Sequence, residues 1–293
     1  MVADFSYEQA FSRNIGWVTR TEQEMLRGKR VAIAGLGGVG GVHLLTLVRL
    51  GIERFHIADF DTFDIANFNR QVGATTSTLG ERKTTVLARM ARDINPDVKL
   101  EVFDKGIDDA NRAAFLHGVD VYVDGLDFFA FAARRAVFAA CREQGIPAVT
   151  AAPLGMGVAL LNFMPRTMSF DRYFDVHDGM SDNELAVRFL VGLSPAMLQR
   201  RYLVDRTAVN FADRRGPSTI IACQLCAGVA AAETLKILLQ RGRVTAAPRG
   251  VHFDAFRNRL AKTWRPGGNR SPAQRIAIRI ARRQLAAMAA QAR

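Results

Sequence analysis

The chain has 293 residues, 49% hydrophobic and 23% charged, with a formal net charge of +12. That length admits one large domain or two small ones, and the balance is that of a folded globular chain rather than a disordered one. No apolar stretch is expected to reach membrane-spanning length, because Arg49, Glu53 and Arg54 interrupt the strongest early run. Asp4 and Glu8, with no apolar segment behind them, argue against a secretory signal. Three cysteines, Cys141, Cys223 and Cys226, make no disulfide framework, so a reducing cytoplasm is the expected setting. The basic excess suits nucleic acid, anionic lipid or an acidic protein. It is concentrated late: no acid follows Asp254, while Lys262, Arg265, Arg270, Arg275, Arg279, Arg282, Arg283 and Arg293 do.

Residues 1–29 read as a helical lead-in, with Arg13 as a solvated surface residue. Val31 to Ala34 is a short apolar run of the kind that forms a strand buried on both faces. Gly35, Gly37 and Gly40 follow as G-x-G-x-x-G, and Val42 to Leu50 continues as a helix. Strand, glycine turn and helix is the context in which that motif binds a phosphate. Gly35 permits the turn, Gly37 lets backbone approach a phosphate, and Gly40 lets helix and strand pack closely. The helix amino terminus offers N–H groups and a positive dipole end.

A second strand, Phe55 to Ala58, ends in Asp59-Phe60-Asp61. Asp59 lies about 20 residues past Gly40, where a dinucleotide fold places the acid that hydrogen-bonds a ribose. Next come Asn67-Phe68-Asn69-Arg70-Gln71 and, at a helix start, Gly80-Glu81-Arg82-Lys83. A hydride-transfer enzyme has no need of a fixed Arg and Lys here, whereas a triphosphate needs its charge neutralised. Arg70 offers forked contacts and Lys83 a mobile point charge, so the pair favours ATP. A helix over Lys83–Ile94 stops at Asn95-Pro96. Val98 to Phe103 is a strand, Asp108 to Leu116 a helix, and Val119 to Asp124 the fourth strand. Asp127 then stands at the carboxyl end of a parallel strand, the edge where open α/β sheets bind ligands. It can hold magnesium against a phosphate, or cap the helix expected over Phe129–Gln144.

Strands follow at Pro147–Ala151 and Gly157–Phe163. Residues 165–217 carry an acidic group (Asp171, Asp175, Asp178, Asp182, Glu184) and two helical patterns, 183–192 and 195–204, and read as an insertion, substrate loop or lid. His177, among the acids, receives no role. Ser218 to Gln240 is a small-residue helix. Its Cys223 and Cys226 read as helix packing, since one C-x-x-C is half a zinc site. Val251–Phe253 and Arg259–Trp264 form a closing hairpin, and Pro266-Gly267-Gly268 reads as a linker. The basic helix from Pro272 suits RNA, a membrane surface, a dimer contact or a solvated tail. The division is thus 1–264 for the main domain and 265–293 for the tail.

With the glycine turn, Asp59 and Asp61, Asn67 to Gln71, Lys83 and Asp127 in order, the chain resembles the ThiF/MoeB superfamily, the ubiquitin-activating-enzyme-like adenylating proteins. The match runs over roughly 10–163 and 218–240. The resemblance implies a doubly wound, Rossmann-like, mostly parallel α/β sheet, usually a homodimer, using ATP and magnesium. It implies that Gly35, Gly37, Gly38 and Gly40 form the nucleotide loop, that Asp59 is the ribose ligand and that Asp61 is an adjacent acid. Asn67, Arg70 and Lys83 would clamp the triphosphate, and Asp127 would hold magnesium and be needed for catalysis. Arg13 would reach into the partner subunit's site. The activity implied is ATP-dependent activation of a carboxylate as an acyl-adenylate.

Three departures bear on that reading. Phe128 stands where the family usually has Asn after the catalytic Asp. The paired C-x-x-C knuckles are missing, so no structural zinc is expected. No cysteine lies in 165–217, so no thioester step is expected. The substrate is then a ubiquitin-like protein end, or a small or tRNA-borne acid, as in the tRNA threonylcarbamoyladenosine dehydratases. An NAD(P)-dependent oxidoreductase and a non-catalytic nucleotide-binding protein are the readings outside adenylation.

Overall fold

Val31, Ala32, Ile33 and Ala34 are all fully buried, because the strand they form lies mid-sheet with helices on both faces. A computed structural model describes residues 5–205, 208–209 and 216–291, with side chains to 284. Parts of the 165–217 segment (206–207 and 210–215) and Arg293 of the tail lie outside the described residues. The elements in chain order are α1 (Tyr7–Ala10), α2 (Arg20–Gly28), β1 (Arg30–Ala34), α3 (Gly40–Arg49), β2 (Arg54–Ala58), α4 (Lys83–Ile94), β3 (Lys99–Phe103), α5 (Arg112–Leu116) and β4 (Val121–Asp124). Then come α6 (Phe131–Glu143), β5 (Ala148–Leu154), β6 (Gly157–Phe163), α7 (Phe170–Phe174), α8 (Asp182–Leu193), α9 (Ile220–Leu238), β7 (Arg249–Asp254), β8 (Arg259–Trp264) and α10 (Pro272–Gln291).

The strands make one sheet in the order β3-β2-β1-β4-β5-β6-β7-β8. The first five are parallel to their neighbours. β6, β7 and β8 add antiparallel pairings. The expected doubly wound α/β sheet is therefore present, widened by an antiparallel meander that includes the expected hairpin. Strand alternation divides the core. Val31 and Ile33 face α2, α3, α4 and α9, while Ala32 and Ala34 face α5, α6, α7 and α8. The strand order reverses between β1 and β4, so a ligand crevice opens at their carboxyl ends.

Two expectations change. α9, Ile220–Leu238, is 19 residues long with mean hydropathy 1.5, long and apolar enough to cross a membrane. Here it packs on β5, β6 and α3 as a core helix, carrying only Glu233 and Lys236 as charges. Pro266-Gly267-Gly268 is not a free linker. Gly268 has φ +54°, and a Cβ there would sit 2.3 Å from the Tyr173 carbonyl oxygen, so the chain turns hard against α7. Asn269, 1% exposed, donates to the carbonyls of Phe174 and Arg188 at 2.8 Å each.

Four acids of the 165–217 segment are ion-paired to neighbouring elements. Asp175 pairs with Arg188 and Arg270, and Glu184 with Arg188 and Arg282. Asp171 and Asp178 pair with Arg135 of α6. α10 docks on α8 by burying Ile278 against Val187 and Val191, and Gln274 donates to the Val191 carbonyl at 3.1 Å. The second helical pattern, 195–204, is only a short 3-10 turn at Leu198–Arg201.

Candidate active site

Three backbones cross at the switch point. Gly35 (φ +82°) directly follows β1, Gly125 directly follows β4, and Gly40 begins α3. A Cβ on Gly40 would lie 1.7 Å from the Gly35 carbonyl oxygen, and one on Gly125 would lie 2.3 Å from the same atom. Only bare backbone fits there. Gly35 N–H donates to the Ala58 carbonyl at 2.7 Å and Gly125 N–H to the Ala34 carbonyl at 2.9 Å, joining the ends of three strands. Gly37 is different: an added Cβ would meet nothing nearer than the Gln71 amide at 3.7 Å. Its glycine is thus not required by the fold, which fits a residue kept bare for a ligand. α3 starts without a side-chain cap, so its first turn offers N–H groups to an anion.

Asp59 is 9% exposed at the end of β2. Its Oδ2 accepts from Leu36 N–H at 2.6 Å and its Oδ1 from Asp61 N–H at 2.8 Å. It therefore ties β2 to the glycine turn. Burial raises its pKa against the two amides and the nearby Lys83 charge, which lower it. Each carboxylate oxygen keeps a further lone pair toward a hydroxyl. Lys83 is not mobile. It is 5% exposed, and its Nζ donates to Asp61 Oδ2 at 2.9 Å.

Arg70 reaches the nucleotide loop. A Cβ on Gly38 would meet its Cγ at 3.5 Å and the Cys223 sulfur at 3.0 Å. The guanidinium donates from Nη1 to the Ala66 carbonyl and to Asn69 Oδ1, both at 2.9 Å, which fixes the fork beside the turn. Asn67 is positioned locally: its Oδ1 accepts from Asp64 N–H at 3.0 Å, capping the turn Ile65–Asn67. Gln71, 7% exposed, carries a buried Oε1 with no partner.

Asp127 is exposed, and its Oδ1 accepts from Phe129 N–H at 3.0 Å. It does not cap α6, which begins four residues later behind Ala130. Its loop is clamped from below. Arg134 of α6, 2% exposed, donates from Nε to Asp124 Oδ2 at 2.9 Å and from Nη2 to the carbonyls of Leu126 (2.6 Å) and Asp127 (3.0 Å). Asp124 also accepts from Thr150 Oγ1 at 3.0 Å and Tyr122 OH at 3.2 Å. A buried ion pair this fully bonded fixes geometry. Phe128 packs on Phe129, Phe131 and Phe189.

The structure thus brings Arg70, the glycine turn, Asp59, Asp61, Lys83 and the Asp127 loop to one sheet edge. Arg13 is not with them in the same chain. Its turn hangs on Asn14, which donates to Gln23 Oε1, and Gln23 in turn donates to the Leu50 carbonyl, at the far end of α3. Sequence reasoning missed Gly125, Asp124 and Arg134. The only signal for Gly125 is its place directly after an apolar strand. For Arg134 it is an arginine on the inner face of a helix after a paired Asp124 and Asp127. Among the described residues no group of three or more His, Cys, Asp or Glu gathers as a metal site. A magnesium ion would fit only with one protein carboxylate, Asp127, and phosphate and water oxygens completing it.

The sequence profile of the ThiF family matches residues 11–275. The chain belongs to the ThiF family. The match takes in the 165–217 segment and the start of α10, beyond the stretch in which the sequence alone shows the resemblance. A tRNA threonylcarbamoyladenosine dehydratase of Haemophilus influenzae is 30% identical over 146 residues, covering 50% of this chain and 55% of that protein. Ubiquitin-like modifier-activating enzyme 5 of Drosophila virilis is 35% identical over 137 residues, covering 43% and 34%. The chain spans about half the length, or less, of these curated relatives. Among solved structures, E. coli MccB with MccA-N7isoASN has a TM-score of 0.69 at 17% identity, covering 92% of this chain and 75% of that one. E. coli tRNA N6-threonylcarbamoyladenosine dehydratase, TcdA, has a TM-score of 0.58 at 21% identity, covering 82% and 98%. The likenesses to the solved structures show that the ThiF chain shares their fold.

Proposed function

We propose that this ThiF protein is an ATP-dependent adenylyltransferase that activates a carboxylate as an acyl-adenylate. The observation that carries the reading is that Arg70 lies over Gly38 of the glycine turn while the Asp127 loop leaves the same crossing from Gly125, its backbone held by Arg134. A carboxylate oxygen attacks the α-phosphorus, the bond to the bridging oxygen breaks, and pyrophosphate leaves with that oxygen. The glycine turn and α3 amino terminus receive phosphate oxygens, and Arg70 offers its fork to them. Lys83, held by Asp61, adds fixed positive charge beside the loop, and Asp59 orients the ribose. These groups position and neutralise rather than react. Magnesium, when bound through Asp127, would supply further charge neutralisation on the phosphates. No thioester relay is part of the scheme: Cys141, Cys223 and Cys226 are buried, and burial raises each thiol's pKa. A cytoplasmic homodimer, with Arg13 of each protomer serving the partner's site, completes the reading. The main domain, 1–264, carries the site.

Within it, two substrate classes are named by the relatives. A tRNA-borne acid is favoured by the dehydratases of Haemophilus influenzae, Bacillus subtilis and E. coli, at 30–31% identity. A ubiquitin-like protein end is favoured by the modifier-activating enzymes. ATP–pyrophosphate exchange with a di-glycine-ended small protein, tRNA and a panel of free acids tests the reading. Exchange that depends on one acid supports it. Binding of NAD(P) in place of ATP, or ATP binding without exchange, overturns it.

A further inference from the structure

The tail helix α10 presents an unpartnered cationic face. Its inner side is spent on α8, through Gln274, Ile278 and the half-buried Ala277 and Ala281. Arg275, Arg279 and Arg283 are all exposed. They recur every fourth residue, so they form one row spanning about 12 Å of helix. Among the described residues no carboxylate pairs with any of them, and no acid occurs in the sequence after Asp254. The neighbouring acids are already neutralised: Asp175 and Glu184 share Arg188, Arg270 and Arg282. The helix is also rigidly placed, since Asn269 and Gln274 anchor its start in the fold.

We infer that this face contacts the phosphate backbone of a nucleic acid. A second copy is disfavoured, because a symmetric pairing would set arginines against arginines with no carboxylate between them. A bilayer is disfavoured because the described apolar side of the helix is buried on α8, leaving, among the residues whose side chains are described, only Ile276 (59% exposed) and Ile280 (45%) as large apolar groups facing outward. About three turns of one helix also fall far short of the ~800 Å² per side of a stable protein interface. Three guanidiniums in a row match phosphates, which they grip bidentately. The inference concerns α10 alone and does not rest on the adenylation reading, since its readout is binding.

The test is fluorescence anisotropy of the full chain with a labelled RNA stem-loop and, separately, a DNA duplex. Three neutralised phosphates predict that log affinity falls with log salt at a slope of about −2.1 to −2.7, a loss of about 20- to 40-fold between 50 and 200 mM KCl. The tighter arm names the natural source. Replacing Arg275, Arg279 and Arg283 together by Gln removes most of that slope, with the unfolding midpoint unchanged because all three are exposed. Replacing Ile276 and Ile280 by Ser leaves affinity within about twofold. A triple variant that binds as the parent does, no binding to either nucleic acid, or sedimentation with phosphatidylserine vesicles in place of nucleic-acid binding overturns the inference.

Discussion

The Phe128 ring lies 5.2 Å from that of Phe189, centroid to centroid. The residue after Asp127 is thereby anchored to α8, the helix that also carries the tail. Phe189 lies beneath Arg134 as well, 4.8 Å from ring centroid to guanidinium carbon. The Asn that the family usually places after the Asp would give α8 no ring to pack on, so Phe128 is part of how this chain joins its helical insertion to the site. Phe189→Ala should therefore lower stability by about 3–5 kcal/mol, as loss of a core aromatic does. Urea unfolding measures it; a change under about 1 kcal/mol would show that the two rings are not coupled to the core.

Arg134→Met removes the partner of a buried carboxylate. Asp124 would keep its Tyr122 and Thr150 donors but lose its counter-charge, and the carbonyls of Leu126 and Asp127 would lose a donor. The expected loss is about 3–5 kcal/mol. Arg134→Met with Asp124→Leu should recover part of it, because two apolar side chains leave no orphaned charge. Chemical denaturation of both variants decides the matter.

Much of this was legible in the chain. The run Val31 to Ala34 and the spacing of Gly35, Gly37 and Gly40 specify a strand, turn and helix by local physics. So do the helix starting at Lys83 and the position of Asp127 after an apolar strand. What sequence could not show is long-range. Gly125 matters because it crosses Gly35 in space, 90 residues away. Lys83 reads as mobile until Asp61 is seen holding it. The Pro266 to Gly268 stretch has a linker's composition, yet Tyr173 presses on it. The acids of the 165–217 segment look unpaired because most of their partners are distant in sequence: Arg135 on α6, and Arg270 and Arg282 in the tail.

Gly125→Ala and Gly37→Ala should separate fold from ligand. The first sets a methyl 2.3 Å from the Gly35 carbonyl oxygen, a backbone atom that cannot swing aside. It should destabilise by more than about 1–3 kcal/mol. The second meets only the Gln71 amide at 3.7 Å, so its unfolding midpoint should hold. A methyl where phosphate approaches should raise the KM for ATP by about tenfold or more. An unchanged KM would mean that Gly37 does not face the nucleotide.

Asp127→Asn and Asp127→Ala should differ in structure but not in activity. Asn can still accept from Phe129 N–H, so the turn survives, whereas Ala loses it. Neither retains the charge that would hold magnesium on phosphate. Both should lower pyrophosphate exchange by about 100-fold or more, with only a small change in unfolding midpoint because the side chain is exposed. Full exchange in the Asn variant would remove the charge from the mechanism.

His43 gives the fold a pH dependence. It is 1% exposed on α3, and neither ring nitrogen has a partner. Burial lowers its pKa from 6.5 to about 4, with Asp124 pulling weakly the other way. The folded chain therefore keeps the ring neutral where the unfolded chain protonates it. Its contribution is fully present above pH 6.5 and is lost progressively as pH falls toward 4. His252, also buried and unpaired, shifts in the same direction for the same reason. His43→Leu should flatten the decline of unfolding free energy over that window, and adding His252→Leu should flatten it further. Denaturant midpoints from pH 7 down to 4 measure the slope, and an unaltered slope in the double variant would assign the acid sensitivity instead to carboxylates whose pKa the arginine pairings lower, such as Asp175 and Glu184.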